Sequence, residues 1–142
     1  DELTGLYNVR YFNERLQEEF SKAGRRRKNN VSLIMMEIDH FKKINDTHGH
    51  QIGDHILRSV ATIYKNSSRD QDIACRYGGE EFIMILPDTS KNEAYRLAIH
   101  RVTISLGVAQ MTNETDKEAL IRKVDSALYE AKRSGRNRTV VA

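Results

Sequence analysis

The sequence predicts an α+β fold, with a central, mostly antiparallel sheet flanked by helices. Three observations carry this. Apolar runs of strand length alternate with stretches of helical period. The pair Gly78-Gly79 sits between two short apolar runs, Ile73 to Tyr77 and Phe82 to Leu86. It reads as a tight β-hairpin, because glycine reaches positive φ without steric cost. From residue 31 the elements run strand, two helices, strand, strand, helix, strand.

Each element has its own signal. Val9, Phe12, Leu16 and Phe20 recur at helical spacing and predict an amphipathic helix over residues 8 to 23. Val31 to Ile38 is a nearly continuous apolar run, a buried strand. A short helix follows Asp39. Gly49 and Gly53 break the pattern, and Ile56, Val60 and Ile63 then place a helix over residues 54 to 66. The hairpin comes next and ends at Pro87-Asp88-Thr89. Ser90 caps a helix that runs to Ile99. Val102 to Ala109 is a further strand. Leu120, Val124, Leu128 and Ala131 mark a last helix, stopped near Gly135, and Thr139 to Val141 adds an edge strand. The core of this order is βαββαβ with a divided first crossover, the ferredoxin-like arrangement, preceded by one helix and followed by a helix and strand.

The chain of 142 residues fits one domain over 1–142, with no internal repeat, low-complexity tract or linker. It starts at Asp1 without a Met, which reads as a piece of a larger protein. No apolar run is long enough to span a bilayer, so membrane contact is not expected of this domain, and any anchor belongs to another part of the protein. Cys75 is the one cysteine and lies in an apolar strand, which excludes disulfides and cysteine-metal sites and points to the cytoplasm. The net charge is +3, and Arg25-Arg26-Arg27-Lys28 reads as a solvated loop. Other basic residues are interleaved with acids and no aromatic stacking platform stands out, so nucleic acid is not the expected partner. The short join at His100-Arg101 has no turn residues, although a helix-to-strand connection normally needs a few. A segment is expected to be missing there.

The chemistry concentrates at three places. At the hairpin, Glu80 and Glu81 follow the glycines at once. A rigid tip without bulky neighbours suits a cation that carries phosphates; the plain reading is a solvated turn. Along Glu37-Ile38-Asp39, a charge interrupts the end of an apolar strand, which is costly unless paired or metal-bound. Period two puts Glu37 and Asp39 on one side, and the first strand lies beside the hairpin, so Glu37 can approach Glu80. Mg²⁺ takes such oxygens together with substrate phosphates. An exposed acid pair is the alternative. Asp39 can also cap the following helix, whose first turn holds Lys42. Asn45 lies one turn on and Asp54 past a Gly-bounded loop. A carboxylate accepts two hydrogen bonds from the N1–H and N2 edge of guanine, which adenine lacks. Taken singly, these two are a turn residue and a helix cap. Lys132-Arg133-Ser134-Gly135-Arg136-Asn137 reads either as a basic helix terminus or as cations folded back onto phosphates.

Together these residues resemble the GGDEF-domain family, the diguanylate cyclases. The resemblance covers nearly the whole chain. It rests on Asp1 to Leu6, the stretch Asp39 to Asp54, Arg76-Tyr77-Gly78-Gly79-Glu80-Glu81-Phe82, Thr103 to Ala109, and Ala131 to Asn137, all in this order. It implies a nucleotide-cyclase, palm-like version of the ferredoxin-like core. It also implies an activity, the condensation of two GTP into cyclic di-GMP and two pyrophosphates, with two domains meeting as a homodimer. By motif position, Glu37, the Ile38 carbonyl and Glu80 hold Mg²⁺ or Mn²⁺. Asn45 and Asp54 read guanine, with His50 nearby. Phe41, Lys42, Lys132 and Arg136 line or grip the triphosphate, and Gly78 and Gly79 leave room for it. Glu81 helps to activate the 3′-hydroxyl, as base or through a metal. Arg69 and Asp72 match the family's RxxD site, where cyclic di-GMP acts as inhibitor. An upstream sensor or receiver domain is the implied partner.

Two departures from the family pattern stand out. Glu37 occupies a position that is usually Asp, and the chain is short at His100-Arg101. An alternative reading is a weak or inactive domain that serves as a GTP or cyclic di-GMP receptor. Intact Glu80, Glu81, Asn45, Asp54 and Lys132 speak against it. A cyclase that also takes ATP is disfavoured by Asp54, which would face adenine's acceptor N1.

Overall fold

The computed structural model describes residues 1–23, 30–98, 104–112 and 116–142. The elements follow in the order α1 (Val9–Ala23), β1 (Val31–Ile38), α2 (Phe41–His48), α3 (His50–Ser67), β2 (Ile73–Arg76), β3 (Glu81–Pro87), α4 (Lys91–Ala98), β4 (Ile104–Gln110), α5 (Lys117–Arg133) and β5 (Thr139–Val141). Among the described residues the sheet is ordered β2-β3-β1-β4-β5. β1 is antiparallel to both β3 and β4, β2 is antiparallel to β3, and β5 runs parallel to β4. This is the expected βαββαβ order with the extra edge strand.

Period-two alternation in β1 splits the core in two. Ile34, Met36 and Ile38 face one way and pack with Leu57 and Val60 of α3 and Ala94 and Ala98 of α4. Val31, Leu33 and Met35 face the other way, onto Phe12 and Leu16 of α1 and Leu120, Val124 and Leu128 of α5. Glu37 and Asp39 continue this second row past its apolar end, so the first charged groups of β1 emerge under α5.

Local chemistry sets the element ends. Ser90 and Glu93 form a reciprocal cap on α4: the Ser90 backbone N–H and hydroxyl both donate to Glu93 Oε2, at 2.9 and 2.7 Å. Gly49, at φ 84°, separates α2 from α3. The expected start of α3 at residue 54 is four residues late. Gly53 lies inside the helix, where its missing side chain makes room for the Asn45 amide instead of ending a turn. The hairpin forms as expected but for a different reason. Neither Gly78 nor Gly79 takes a left-handed φ. Arg76 holds the turn instead, its Nε donating to the Gly78 and Gly79 carbonyls at 3.2 Å and its Nη2 to Gly79 at 2.8 Å. The Arg25 to Lys28 cluster, the His100-Arg101 join, Ile99, Val102 and Thr103 lie outside the described residues.

Cys75 is fully buried, and burial pushes its thiol up to about 12, so it is inert packing. The Tyr64 hydroxyl is buried with no partner among the described residues, and burial raises its pKa. Tyr64→Phe removes an unsatisfied polar atom. It is expected to leave stability unchanged or raise it by about 1 kcal/mol, read by urea unfolding. A loss of more than that would mean the hydroxyl is satisfied in solution. Among the described residues no helix is long and apolar enough to cross a membrane.

Candidate active site

Everything at the site leaves from the end of β1. Across the ladder, Glu37 is paired with Glu81 of β3 and with Ser105 of β4. Glu81, one residue beyond the expected Glu80, therefore stands directly opposite Glu37. Glu80 lies alongside, its carbonyl accepting from the Ile38 N–H at 3.3 Å. Among the described residues the Glu80 carboxylate makes no hydrogen bond or ion pair. Glu37, Glu81, Asp125, Tyr129 and Lys132 line one cavity of about 380 Å³. Lys132 Nζ donates to Glu37 Oε2 at 2.7 Å. Burial first, then the Glu37 charge, lift the Glu81 carboxyl above the usual carboxylate range, while Lys132 pulls the other way.

Gly78 earns its place at the carboxylate. A Cβ there would lie 2.4 Å from Glu81 Oε2, whereas a Cβ at Gly79 meets nothing within 4 Å. One glycine accommodates the acid and the other leaves the tip open. Arg76 ties this tip to the chain's entry, its Nη1 bonding both Asp1 carboxylate oxygens at 3.2 Å.

Asp39 is not a helix cap. His40, in the left-handed region at φ 57°, occupies the position before α2 and makes no side-chain cap. The Asp39 carboxylate is buried and already partnered. Ser105 Oγ donates to Oδ1 at 2.7 Å and the Asn137 N–H donates to Oδ2 at 3.0 Å. Arg136 Nε stands 3.9 Å away. Asp39 thus anchors the loop after α5, in which Arg136 and Asn137 both take left-handed φ values of 61° and 46°. It does not stand ready to complement Glu37.

On the other side of β1, α2 and α3 hold Asn45 and Asp54. The Asn45 Oδ1 is buried with no partner among the described residues, and a Cβ on Gly53 would fall 1.9 Å from it. Asp54 is half-buried, while Lys42 and His50 are exposed. Phe41 is buried in the core, its ring edge 3.1 Å from where a Cβ on Gly53 would lie, so it contributes little open surface. Asp125 and Tyr129 were not expected at the site. Asp125, Tyr129 and Lys132 follow one another at steps of four and three residues, which puts all three on one helix face and could have identified them.

Away from this region, Arg69 is exposed and Asp72 closes a turn on it, Oδ2 accepting from the Arg69 N–H at 2.9 Å. Asp72 Oδ1 is buried without a partner among the described residues, and burial raises this carboxyl.

The family profile described as "Diguanylate cyclase, GGDEF domain" matches residues 1–102 and 96–138. The chain belongs to this family. The two matched stretches overlap at residues 96–102, around the short join at His100-Arg101. Response regulator PleD of Caulobacter vibrioides is 42% identical over 160 residues, an alignment longer than this chain, covering 99% of it and 35% of PleD. The chain thus spans about a third of that relative's length. Among solved structures, the GGDEF domain of DgcB from Caulobacter crescentus, in complex with c-di-GMP, superposes with a TM-score of 0.92 at 31% identity, covering 99% of this chain and 94% of that one. The active GGEEF domain of a diguanylate cyclase from Vibrio cholerae gives a TM-score of 0.89 at 33% identity, covering 96% and 97%.

Proposed function

We propose that this GGDEF domain condenses two GTP molecules into cyclic di-GMP and two pyrophosphates, at the face between two copies of the domain. The observation that carries the reading is the acid hairpin set against β1, with Glu81 opposite Glu37 and Lys132 at 2.7 Å from Glu37. Two facing acids with one cation paired to Glu37, in an open cavity, suit a triphosphate with its counter-ion. The unpartnered Glu80 carboxylate and the hard oxygen donors of Glu37 and the Ile38 carbonyl fit Mg²⁺ or Mn²⁺. Such an ion, when bound, neutralises charge on the triphosphate.

The residues divide the remaining work. Asn45 and Asp54 read the guanine edge, the unpartnered Asn45 Oδ1 being ready to accept from the base, with His50 nearby. Phe41 borders Gly53 together with Asn45. Lys42, Lys132 and Arg136 hold phosphate oxygens, and the bare tip at Gly78 and Gly79 admits them. Glu81 accepts the proton of the 3′-hydroxyl, its raised carboxyl bringing it nearer the range in which a base is effective. The 3′-oxygen then attacks the α-phosphorus of the partner's GTP in line and pyrophosphate departs. Holding the two nucleotides in register supplies much of the acceleration.

Product is proposed to inhibit at Arg69 and Asp72, where an exposed arginine adjoins, through its backbone N–H, a carboxylate with one oxygen unpartnered among the described residues. Arg69→Ala is expected to raise the cyclic di-GMP concentration for half inhibition more than tenfold; an unchanged value rejects the site. Residues 1–142 are read as one domain of a larger cytoplasmic protein under an upstream sensor or receiver domain.

The deciding experiment is incubation of the concentrated domain with GTP and Mg²⁺, with cyclic di-GMP followed by mass-resolved chromatography. No product, even with Mn²⁺ and enforced dimerisation, overturns the cyclase and leaves a nucleotide receptor. Base choice has its own test. Asp54→Ser is expected to cut discrimination between GTP and ATP at least tenfold, and full retention of GTP preference removes Asp54 from that role.

A further inference from the structure

Glu37 and Glu81 face each other on adjacent strands, under the same helix. Like charges directly across a ladder repel. Among the described residues, Lys132 is the one cation in ion-pair range of either, 2.7 Å from Glu37. The pair is sheltered, with side chains 18% and 30% exposed for Glu37 and Lys132, so solvent screens it less than a surface contact. Two anions therefore share one lysine. Its stem is flexible and its ammonium carries three rotatable donors, so it can change partners without moving α5.

We propose that Lys132 is a placeholder cation: it occupies Glu37 until the divalent ion arrives, and is then released to the phosphates, so that metal and nucleotide are taken up cooperatively. The inference rests on the reading of Glu37 as a metal ligand. Were Glu37 and Glu80 to hold a divalent ion, its charge would repel the Lys132 ammonium and leave that lysine in need of an anion. A triphosphate supplies that anion. In the other direction, phosphates that draw Lys132 away expose Glu37 to the ion. Linkage makes both effects the same factor.

The test is equilibrium binding by calorimetry, with Mn²⁺ and a GTP analogue carrying a non-cleavable α,β-methylene bridge, each alone and together. In Lys132→Met, which keeps the stem but not the charge, Mn²⁺ alone is expected to bind about tenfold more tightly than to the parent. The cooperativity between Mn²⁺ and analogue falls toward one. In Glu37→Gln, which frees the lysine, metal-free analogue binding is expected to tighten about threefold. Mn²⁺ affinity in Lys132→Met equal to or weaker than the parent overturns the placeholder. So does unchanged or weaker metal-free analogue binding in Glu37→Gln. A parent that binds no Mn²⁺, even with analogue present, overturns the metal reading itself and the inference with it.

Discussion

Replacing Glu80 and Glu81 together by alanine is expected to lower cyclic di-GMP formation by about a thousandfold or more, the range that loss of a positioned base commands. A rate within tenfold of the parent would detach the chemistry from the hairpin. The single change Glu81→Gln separates two roles of one residue. Burial, then the Glu37 charge, raise the Glu81 carboxyl in the folded protein. The folded state therefore holds that proton more tightly than the unfolded chain. This contribution to stability is full below the ordinary glutamate pKa of about 4.3 and is lost as pH rises through the raised value. Above that raised value Glu81 is a strained anion. Glu81→Gln should then melt at a higher temperature than the parent at pH 8, and the difference should close on acidification to about pH 4. Lower stability of the variant at pH 8 would mean that Lys132 outweighs burial and Glu37 together. A variant that is more stable yet inactive is the signature of a group held against its own preference for a purpose.

Gly107→Ala is the change with the largest expected structural effect. Gly107 sits in β4 on the face covered by α5. A Cβ there would lie 2.3 Å from the Val124 carbonyl oxygen and 2.5 Å from the Leu128 nitrogen, both backbone atoms of α5. No rotamer relieves a clash with backbone, so helix and strand must separate. The expected loss is about 3 kcal/mol, at the upper end for overpacking. For a domain of this size that lowers the melting temperature by roughly 10 °C. A fall of less than about 3 °C would show that α5 can ride outward cheaply. Any outward shift also carries Lys132 away from Glu37, so residual activity should fall faster than the folded fraction.

What the sequence disclosed and what it hid follow from the range of the interactions. The hairpin was legible because its signal is local: two glycines between strand-forming runs. So was the cap on α4, where Ser90 and Glu93 are three residues apart. The start of α3 was not, because Gly53 answers to Asn45 on the preceding helix and not to its own backbone. The role of Asp39 was hidden for the same reason on a larger scale. Its partners Ser105 and Asn137 lie 66 and 98 residues away, and nothing near Asp39 announces them. Glu81 was expected in the site, but its position opposite Glu37 depends on a turn closed by the Tyr77 N–H donating to the Glu81 carbonyl at 2.8 Å. Register of that kind is decided by hydrogen bonds, not by composition.

The central position of β1 has a consequence for quality control. Glu37 meets Glu81 on one side and Ser105 on the other only when both neighbouring ladders are in register. A slip of one residue would turn every β1 side chain to the opposite face. Glu37 would then be driven among the residues around Met36, and the acids would never assemble. A mispaired sheet therefore yields no weakened or half-built centre. The charged cluster works as a checksum on folding, present when the strands are correctly aligned and missing altogether when they are not.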